Sequence, residues 1–80
     1  MNHNSIFLVE DDANFGSVLK SYLEMNDFDV VWVMDGNKAF GEFTEGQYDL
    51  CVLDIMLPNK DGFAVAREIK TQDPSIPLIF

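Results

Sequence analysis

The sequence has little of what several protein classes require. It contains one cysteine, Cys51, so an internal disulfide framework and a zinc site built from cysteines are excluded. No apolar run approaches the roughly 18 residues that a membrane-spanning helix needs, and we expect no membrane contact. The chain begins with polar residues and shows no signal-peptide pattern, which predicts a reducing, cytoplasmic setting.

Positive charge is also scarce. Five Lys and Arg residues stand against 14 Asp and Glu residues, for a formal net charge of −9. The basic residues form no cluster, so the chain would meet a phosphate backbone with net repulsion, and we expect no direct contact with nucleic acid. Apolar residues make up 48% of the 80 positions, which supports a folded core and argues against a disordered acidic tail. The length suits one domain, not two.

Short apolar runs alternate with amphipathic stretches along the chain. The runs cover residues 6–9, 30–34, 50–53 and 78–80, and their length and β-branched content favour strands buried on both faces of a parallel sheet. Between them, apolar residues recur every three or four positions over residues 14–25, 37–45 and 63–71, which predicts three helices. This order predicts an α/β fold with right-handed crossovers.

Each predicted helix carries an apolar stripe. In the third helix the stripe is Phe63, Ala66 and Ile69, and in the second it is Ala39, Phe40 and Phe43. The first helix is expected to be capped at residue 12 or 13 and to end near Asn26 and Asp27. Its stripe consists of Phe15, Val18, Leu19, Tyr22 and Leu23.

Acidic residues follow two of the predicted strands. Glu10, Asp11 and Asp12 come directly after the first strand, and Asp54 comes after the third. Sites in parallel sheets form at the carboxyl ends of the strands, so these side chains gather at one edge if the two strands are neighbours. Two like charges about 4 Å apart repel by about 4 kcal/mol at an effective dielectric near 20, so the group needs a cation. A set of oxygen ligands favours Mg²⁺ over zinc or a transition metal.

A purely structural interpretation competes with the metal site, because acids at strand ends often cap the next helix. We favour that interpretation for Asp12. It suits Glu10 and Asp11 less well, since both follow directly on an apolar strand. It suits Asp54 least, because this residue stands between two apolar triplets, where an unpaired carboxylate is costly.

Two motifs together resemble the receiver domain of two-component response regulators. They are IFLVEDD at residues 6–12 and DIMLPNKDG at residues 54–62, and the resemblance extends over residues 5–80. The Leu-Pro-x-x-Asp-Gly version is most similar to receivers that precede winged-helix DNA-binding domains. The family implies a three-layer, flavodoxin-like α/β fold with a parallel sheet in the order 2-1-3-4-5, of which this chain holds about four strands and three helices. Pro58 and Gly62 would hold the backbone beside Asp54.

The resemblance implies a role for each matching position. Asp54 matches the phosphoacceptor, which receives a phosphoryl group from the histidine of a sensor kinase. Asp11 and Glu10 match the acidic ligands of Mg²⁺, with Asp54 a further ligand, and the backbone carbonyl of Met56 completes the metal site. The domain then switches conformation. It is not an enzyme in this interpretation, since at most it promotes its own phosphorylation and dephosphorylation.

The sequence also departs from the family pattern. Receivers usually carry a Ser or Thr beyond the fourth strand and a Lys after the fifth, and the sequence stops at Phe80, before both. We therefore expect residues 1–80 to be the N-terminal part of a single receiver domain without an output domain. An uncovered apolar face and an exposed edge strand would favour oligomers. The alternative is a truncated interaction or metal-binding fragment that is not phosphorylated.

Other interpretations fit the residues less well. A phosphohydrolase with an aspartyl nucleophile would need an acid two residues after Asp54, where Met56 stands. A calcium loop fails at its first position, which is Leu57, and neither a P-loop nor a G-x-G-x-x-G motif is present. Four further residues are assigned structural or solvent roles: Trp32 packing at the sheet edge, Cys51 as a buried thiol, His3 in a polar terminus, and Lys60 in a solvated loop.

Overall fold

The computed structural model describes residues 4–57 and 60–80, and in them four strands alternate with three helices. His3 and Pro58 lie outside the described residues. Each predicted element is present, with its ends shifted by no more than about two residues, as is usual for such boundaries. The elements are β1 (Asn4–Val9), α1 (Ala13–Met25), β2 (Phe28–Val33), α2 (Gly36–Thr44), β3 (Leu50–Leu53), α3 (Gly62–Gln72) and β4 (Leu78–Ile79).

The four strands form a parallel sheet in the order β2-β1-β3-β4, which is the order that the family resemblance implied for the described part. β1 pairs with a neighbour on each side, and its residues 6–9 are at most 1% exposed. β2 was wrongly expected to be buried on both faces. It is an edge strand, so its side chains alternate between half-buried and exposed up to Trp32, and Val33 at its end is buried.

The main core lies on the face of the sheet that α2 and α3 cover. Phe7 of β1 contacts Phe43 of α2 and Tyr48, with ring centroids 5.4 and 5.0 Å apart. Val65 and Ile69 of α3 join the same cluster and are fully buried. The sequence placed Phe63 in the α3 stripe, but this side chain is 49% exposed, because Val65 points into the core instead.

Helix α1 lies on the opposite face of the sheet, which gives the three-layer arrangement. Trp32 of β2 is aligned with Leu8 of β1, on the face that alternation places opposite Phe7, and its ring packs against Gly16 of α1. Asp12 caps the helix, and Asp27 follows it with a positive φ of 69°. The cap and the end of this helix are therefore those that the sequence indicated.

The apolar stripe of α1 is only partly covered. Phe15, Val18 and Tyr22 are 55%, 68% and 62% exposed, whereas Leu19 and Leu23 are half-buried. On the same side of the sheet, a cleft of about 280 Å³ opens between α1 and β3, and its walls include Phe15, Leu19, Val52 and Phe80. The stripe was thus only partly right as a guide to burial.

No helix in residues 4–57 and 60–80 is long and apolar enough to cross a bilayer.

The burial of Cys51 in β3 generates a prediction about its reactivity. Burial raises the pKa of the Cys51 thiol to about 12, so the thiolate that reacts with disulfide reagents is scarce at neutral pH. We expect the native chain to react with Ellman's reagent only as fast as it unfolds. The rate should rise with urea in step with the loss of helical circular dichroism. A rapid, stoichiometric reaction in native buffer would contradict this expectation, and the chain in concentrated guanidinium provides the positive control.

Candidate functional site

The carboxyl ends of β1 and β3 bring three carboxylates together. Val9 and Leu53 are aligned in the parallel ladder, so the residues that follow them emerge side by side. Glu10, Asp11 and Asp54 each offer one carboxylate oxygen, and these oxygens all lie within 4.8 Å of one another. We call these three residues the acidic cluster. It consists of the side chains that the strand ends predicted.

Backbone hydrogen bonds hold the start of each segment that carries the acidic cluster. The N–H of Asp54 donates to the carbonyl of Val9 at 3.0 Å, and the N–H of Glu10 donates to the carbonyl of Val33 at 3.1 Å. The carboxylate of Glu10 also accepts a hydrogen bond from the N–H of Asp12 at 3.0 Å. The backbone at Glu10 and Asp54 is therefore still held by the hydrogen bonds of the sheet and has little freedom.

Asp12 does not belong to the acidic cluster. Its side chain accepts a hydrogen bond from the N–H of Phe15 at 3.0 Å and caps α1. Such a cap contributes about 0.5–2 kcal/mol to stability. The structural interpretation of this residue is therefore correct.

The segment after Asp54 turns back on itself. The N–H of Met56 donates to the carboxylate of Asp54 at 2.9 Å, which orients this carboxylate. The Met56 side chain is 82% exposed and takes no part in the cluster. The role of the Met56 backbone carbonyl as a metal ligand stays a prediction.

Gly62 at the start of α3 packs directly on the backbone beside Asp54. A Cβ atom at this position would lie 2.4 Å from Cα of Ile55 and 2.6 Å from the carbonyl oxygen of Asp54. The Gly62 N–H donates to the carbonyl of Ile55 at 3.2 Å. Because only a residue without a side chain fits there, α3 can press on the Asp54 segment, as the sequence interpretation of Gly62 expected.

The acidic cluster is electrostatically unfavourable on its own. Burial raises the pKa of Glu10, and the neighbouring Asp54 and Asp11 raise it further, while the hydrogen bond from Asp12 opposes them. No Lys or Arg in the described part of the chain forms an ion pair with the cluster. Lys60, which was interpreted as a solvated loop residue, is instead half-buried and bound to Glu68 at 2.5 Å.

The donor set fits a hard divalent cation. All three side chains present oxygen, and carboxylates this close together repel one another unless a cation lies between them. Glu10 is buried, whereas Asp11 and Asp54 are half-buried and accessible from solvent. A small cation that keeps some of its water, as Mg²⁺ does, suits such a partly open site.

Sequence reasoning missed one contact at the acidic cluster. The indole N–H of Trp32 donates to the backbone carbonyl of Glu10 at 2.9 Å. The available signal was the position of Trp32, the next-to-last residue of β2, which pairs with β1. This tryptophan was interpreted as packing alone.

Comparison with known proteins supports the fold and identifies the family. The family model described as the response regulator receiver domain matches residues 6–80. The transcriptional regulatory protein RprY of Bacteroides fragilis is 43% identical over 75 residues, which are 94% of this chain and 32% of RprY. The CssR protein of Bacillus subtilis is 40% identical over 95% of this chain and 33% of its own length. The chain thus spans about a third of the length of these relatives.

Solved structures show the same fold. The non-phosphorylated HemR receiver domain from Leptospira biflexa superposes with a TM-score of 0.88 at 35% identity, over 94% of this chain and 60% of that one. The response regulator TrrA from Thermotoga maritima, in complex with Mg²⁺ and BeF, superposes with a TM-score of 0.88 at 31% identity, over 94% of this chain and 65% of that one. TrrA has also been solved in complex with the histidine kinase ThkA.

These findings define the class of the protein as a signalling domain of two-component systems. The chain belongs to the response regulator receiver domain family.

The packing of Gly62 predicts that even a methyl group there disturbs the site. We expect Gly62→Ala to lower the free energy of unfolding by about 1–3 kcal/mol, because the overlap is with backbone atoms that cannot turn away. The matched control is Gly41→Ala, at a helical position where nothing lies within 4 Å of the added Cβ. Alanine there should stabilise the chain by about 0.5–1 kcal/mol. Urea denaturation of both variants measures the two effects, and equal effects would contradict the prediction.

Proposed function

We propose that Asp54 accepts a phosphoryl group from the phosphohistidine of a sensor kinase in a Mg²⁺-dependent reaction. The observation that carries the proposal is the convergence of the carboxylates of Glu10, Asp11 and Asp54 at the carboxyl edge of the sheet. The complexes of TrrA with Mg²⁺ and BeF and with a histidine kinase support it by analogy.

The transfer is a substitution at phosphorus. A carboxylate oxygen of Asp54 forms a bond to phosphorus as the bond from phosphorus to the imidazole nitrogen breaks. The electron pair of that bond stays on the imidazole, and the product on Asp54 is a mixed anhydride. The chain contributes mainly position: the hydrogen bond from the N–H of Met56 orients the carboxylate, and Gly62 fixes the backbone behind it.

Glu10, Asp11 and Asp54 would hold the cation, together with the backbone carbonyl of Met56. When bound, Mg²⁺ supplies positive charge that offsets the repulsion between the carboxylates and an incoming phosphoryl group. Glu10 enters this set already oriented, since its carboxylate accepts the N–H of Asp12 and its side chain is buried. The added phosphoryl charge would then bias a two-state equilibrium of the domain.

The whole protein is proposed to act as a bacterial transcription regulator in the cytoplasm, by analogy with relatives named as transcriptional regulatory proteins. The chain itself is proposed to make no direct contact with nucleic acid, because its net charge is −9.

Acetyl phosphate provides the direct test of the acceptor. We expect the chain, incubated with acetyl phosphate and Mg²⁺, to gain the mass of one phosphoryl group, and we expect EDTA to prevent the gain. Asp54→Asn should abolish the uptake, since an amide is a poor nucleophile. The matched control is Asp27→Asn, which makes the same chemical change at an exposed position of positive φ that asparagine also tolerates.

Two outcomes would contradict parts of the proposal. Uptake that survives in Asp54→Asn would show that Asp54 is not the acceptor. Mg²⁺ binding without uptake would favour the alternative function, a metal-binding or interaction module that is not phosphorylated.

The open side of the sheet leads to a separate proposal, that a second copy of the chain covers it. Phe15, Val18 and Tyr22 of α1 and the residues Ile79 and Phe80 at β4 are all more than half exposed. Exposed apolar surface beside an edge strand favours association, whereas the net charge of −9 opposes it.

Sedimentation velocity measures this association. We expect the chain to dimerise more strongly as salt screens its charge, with the dimer growing between low and physiological ionic strength. Val18→Glu, which places a charge in the middle of the exposed apolar stripe of α1, should make the chain monomeric. Ser21→Glu, on an exposed position of the same helix outside the stripe, provides the control. A monomer at every concentration and ionic strength would refute the proposal.

A further inference from the structure

We infer that Trp32 is a positioning residue for the acidic cluster, because its indole fixes the backbone that carries Glu10 and Asp11. The inference rests on the proposed function of the cluster as a cation site. The contact itself joins residues far apart in sequence: the Trp32 N–H donates to the carbonyl of Glu10 at 2.9 Å.

The carbonyl of Glu10 needs a partner because the ladder stops at this point. The N–H of Glu10 makes the last β1–β2 bond, to the carbonyl of Val33, and β2 ends there. The chain then leaves the sheet, and Asp35 caps α2 by accepting the N–H of Asn37. The indole N–H takes the place of a further strand residue as the donor to Glu10, so that both backbone groups of Glu10 are bonded to β2.

Gly16 of α1 provides the space for the indole ring. A Cβ atom at Gly16 would lie 2.2 Å from Cζ2 of Trp32, 2.5 Å from Cε2 and 2.9 Å from Nε1. Gly16 is the buried residue of α1, and a glycine inside a helix costs about 0.5–1 kcal/mol relative to alanine. The missing side chain at Gly16 therefore lets the ring lie close to α1, with its nitrogen within reach of Glu10.

The bond acts on the direction of two carboxylates at once. Glu10 and Asp11 share the peptide group whose carbonyl Trp32 holds, so a rotation of that group would move both side chains relative to Asp54. Repulsion within the cluster favours such a rotation, and the indole opposes it. The indole N–H bonds to the backbone carbonyl of Glu10 and not to a carboxylate, so Trp32 acts through the backbone of Glu10.

The substitution Trp32→Phe separates positioning from packing. Phenylalanine keeps an aromatic ring beside Gly16 and removes the N–H donor. We expect the Kd for Mg²⁺, measured by calorimetry on the full chain, to rise about three- to tenfold, the scale of one net hydrogen bond. Tyr22→Phe, on the exposed side of α1, removes a polar group from another aromatic residue and should leave the Kd unchanged.

A second variant reaches the same bond from the other side. Gly16→Ala leaves Trp32 in place but pushes its ring away, so it should also weaken Mg²⁺ binding, whereas Gly41→Ala should not. Trp32 is the single tryptophan of the chain, so its fluorescence gives an independent readout. We expect the emission of the wild-type chain to change as Mg²⁺ is added. The midpoint of this change should equal the midpoint of the calorimetric titration.

The outcomes separate this inference from the function on which it rests. If the wild-type chain binds Mg²⁺ and both Trp32→Phe and Gly16→Ala bind it with the same Kd, the inference is overturned. The proposed cation site is then still supported. Absence of Mg²⁺ binding in the wild-type chain would overturn both. A higher Kd for Mg²⁺ in Gly16→Ala, with an unchanged circular dichroism spectrum, supports the inference even where Trp32→Phe fails to fold.

Discussion

The structure depends on the parallel pairing of β1 with β3. This pairing aligns Val9 with Leu53, and so it places the acidic residues of two distant segments at one edge of the sheet. The fold must then hold together groups that repel one another, at a cost of several kcal/mol. It does so because β1 is buried on both faces and tied to a strand on each side. The proposed chemistry follows from that arrangement, since a cation would offset both the repulsion among the carboxylates and their repulsion of an incoming phosphoryl group.

Two glycines allow close packing against the segments that carry the acidic cluster. Gly62 lets α3 contact the backbone of Asp54, and Gly16 lets the ring of Trp32 contact α1 and reach Glu10. In each case the absent side chain permits a close approach, and no unusual dihedral angle is involved, because no glycine in the described part of the chain has a positive φ. These glycines thus contribute shape, where Asp12 and Asp61 contribute hydrogen bonds as caps.

The sequence predicted the elements and the acidic cluster because both are local signals combined with one topological rule. Apolar runs locate strands, and residues after parallel strands converge at one edge. Burial was less predictable, since it depends on which elements cover each face. The stripe of α1 has the right spacing, yet Val18 and Tyr22 remain exposed because little packs against that half of the sheet. The bond from Trp32 to Glu10 was missed because it depends on ring orientation, which spacing does not encode.

The same contacts explain why the open side of the sheet leaves the acidic cluster in place. In residues 4–57 and 60–80, the hydrogen bonds that orient the cluster come from β1, β2, Asp12 and the turn after β3, and the packing contact comes from α3. None of them involves β4, whose end borders the apolar cleft. The proposed cation site therefore takes these hydrogen bonds from the part of the sheet that is already packed. The cleft beside β4 is lined by Glu10 and Asp54 as well as by Phe80, so a partner that covers the β4 side would also lie next to the cluster.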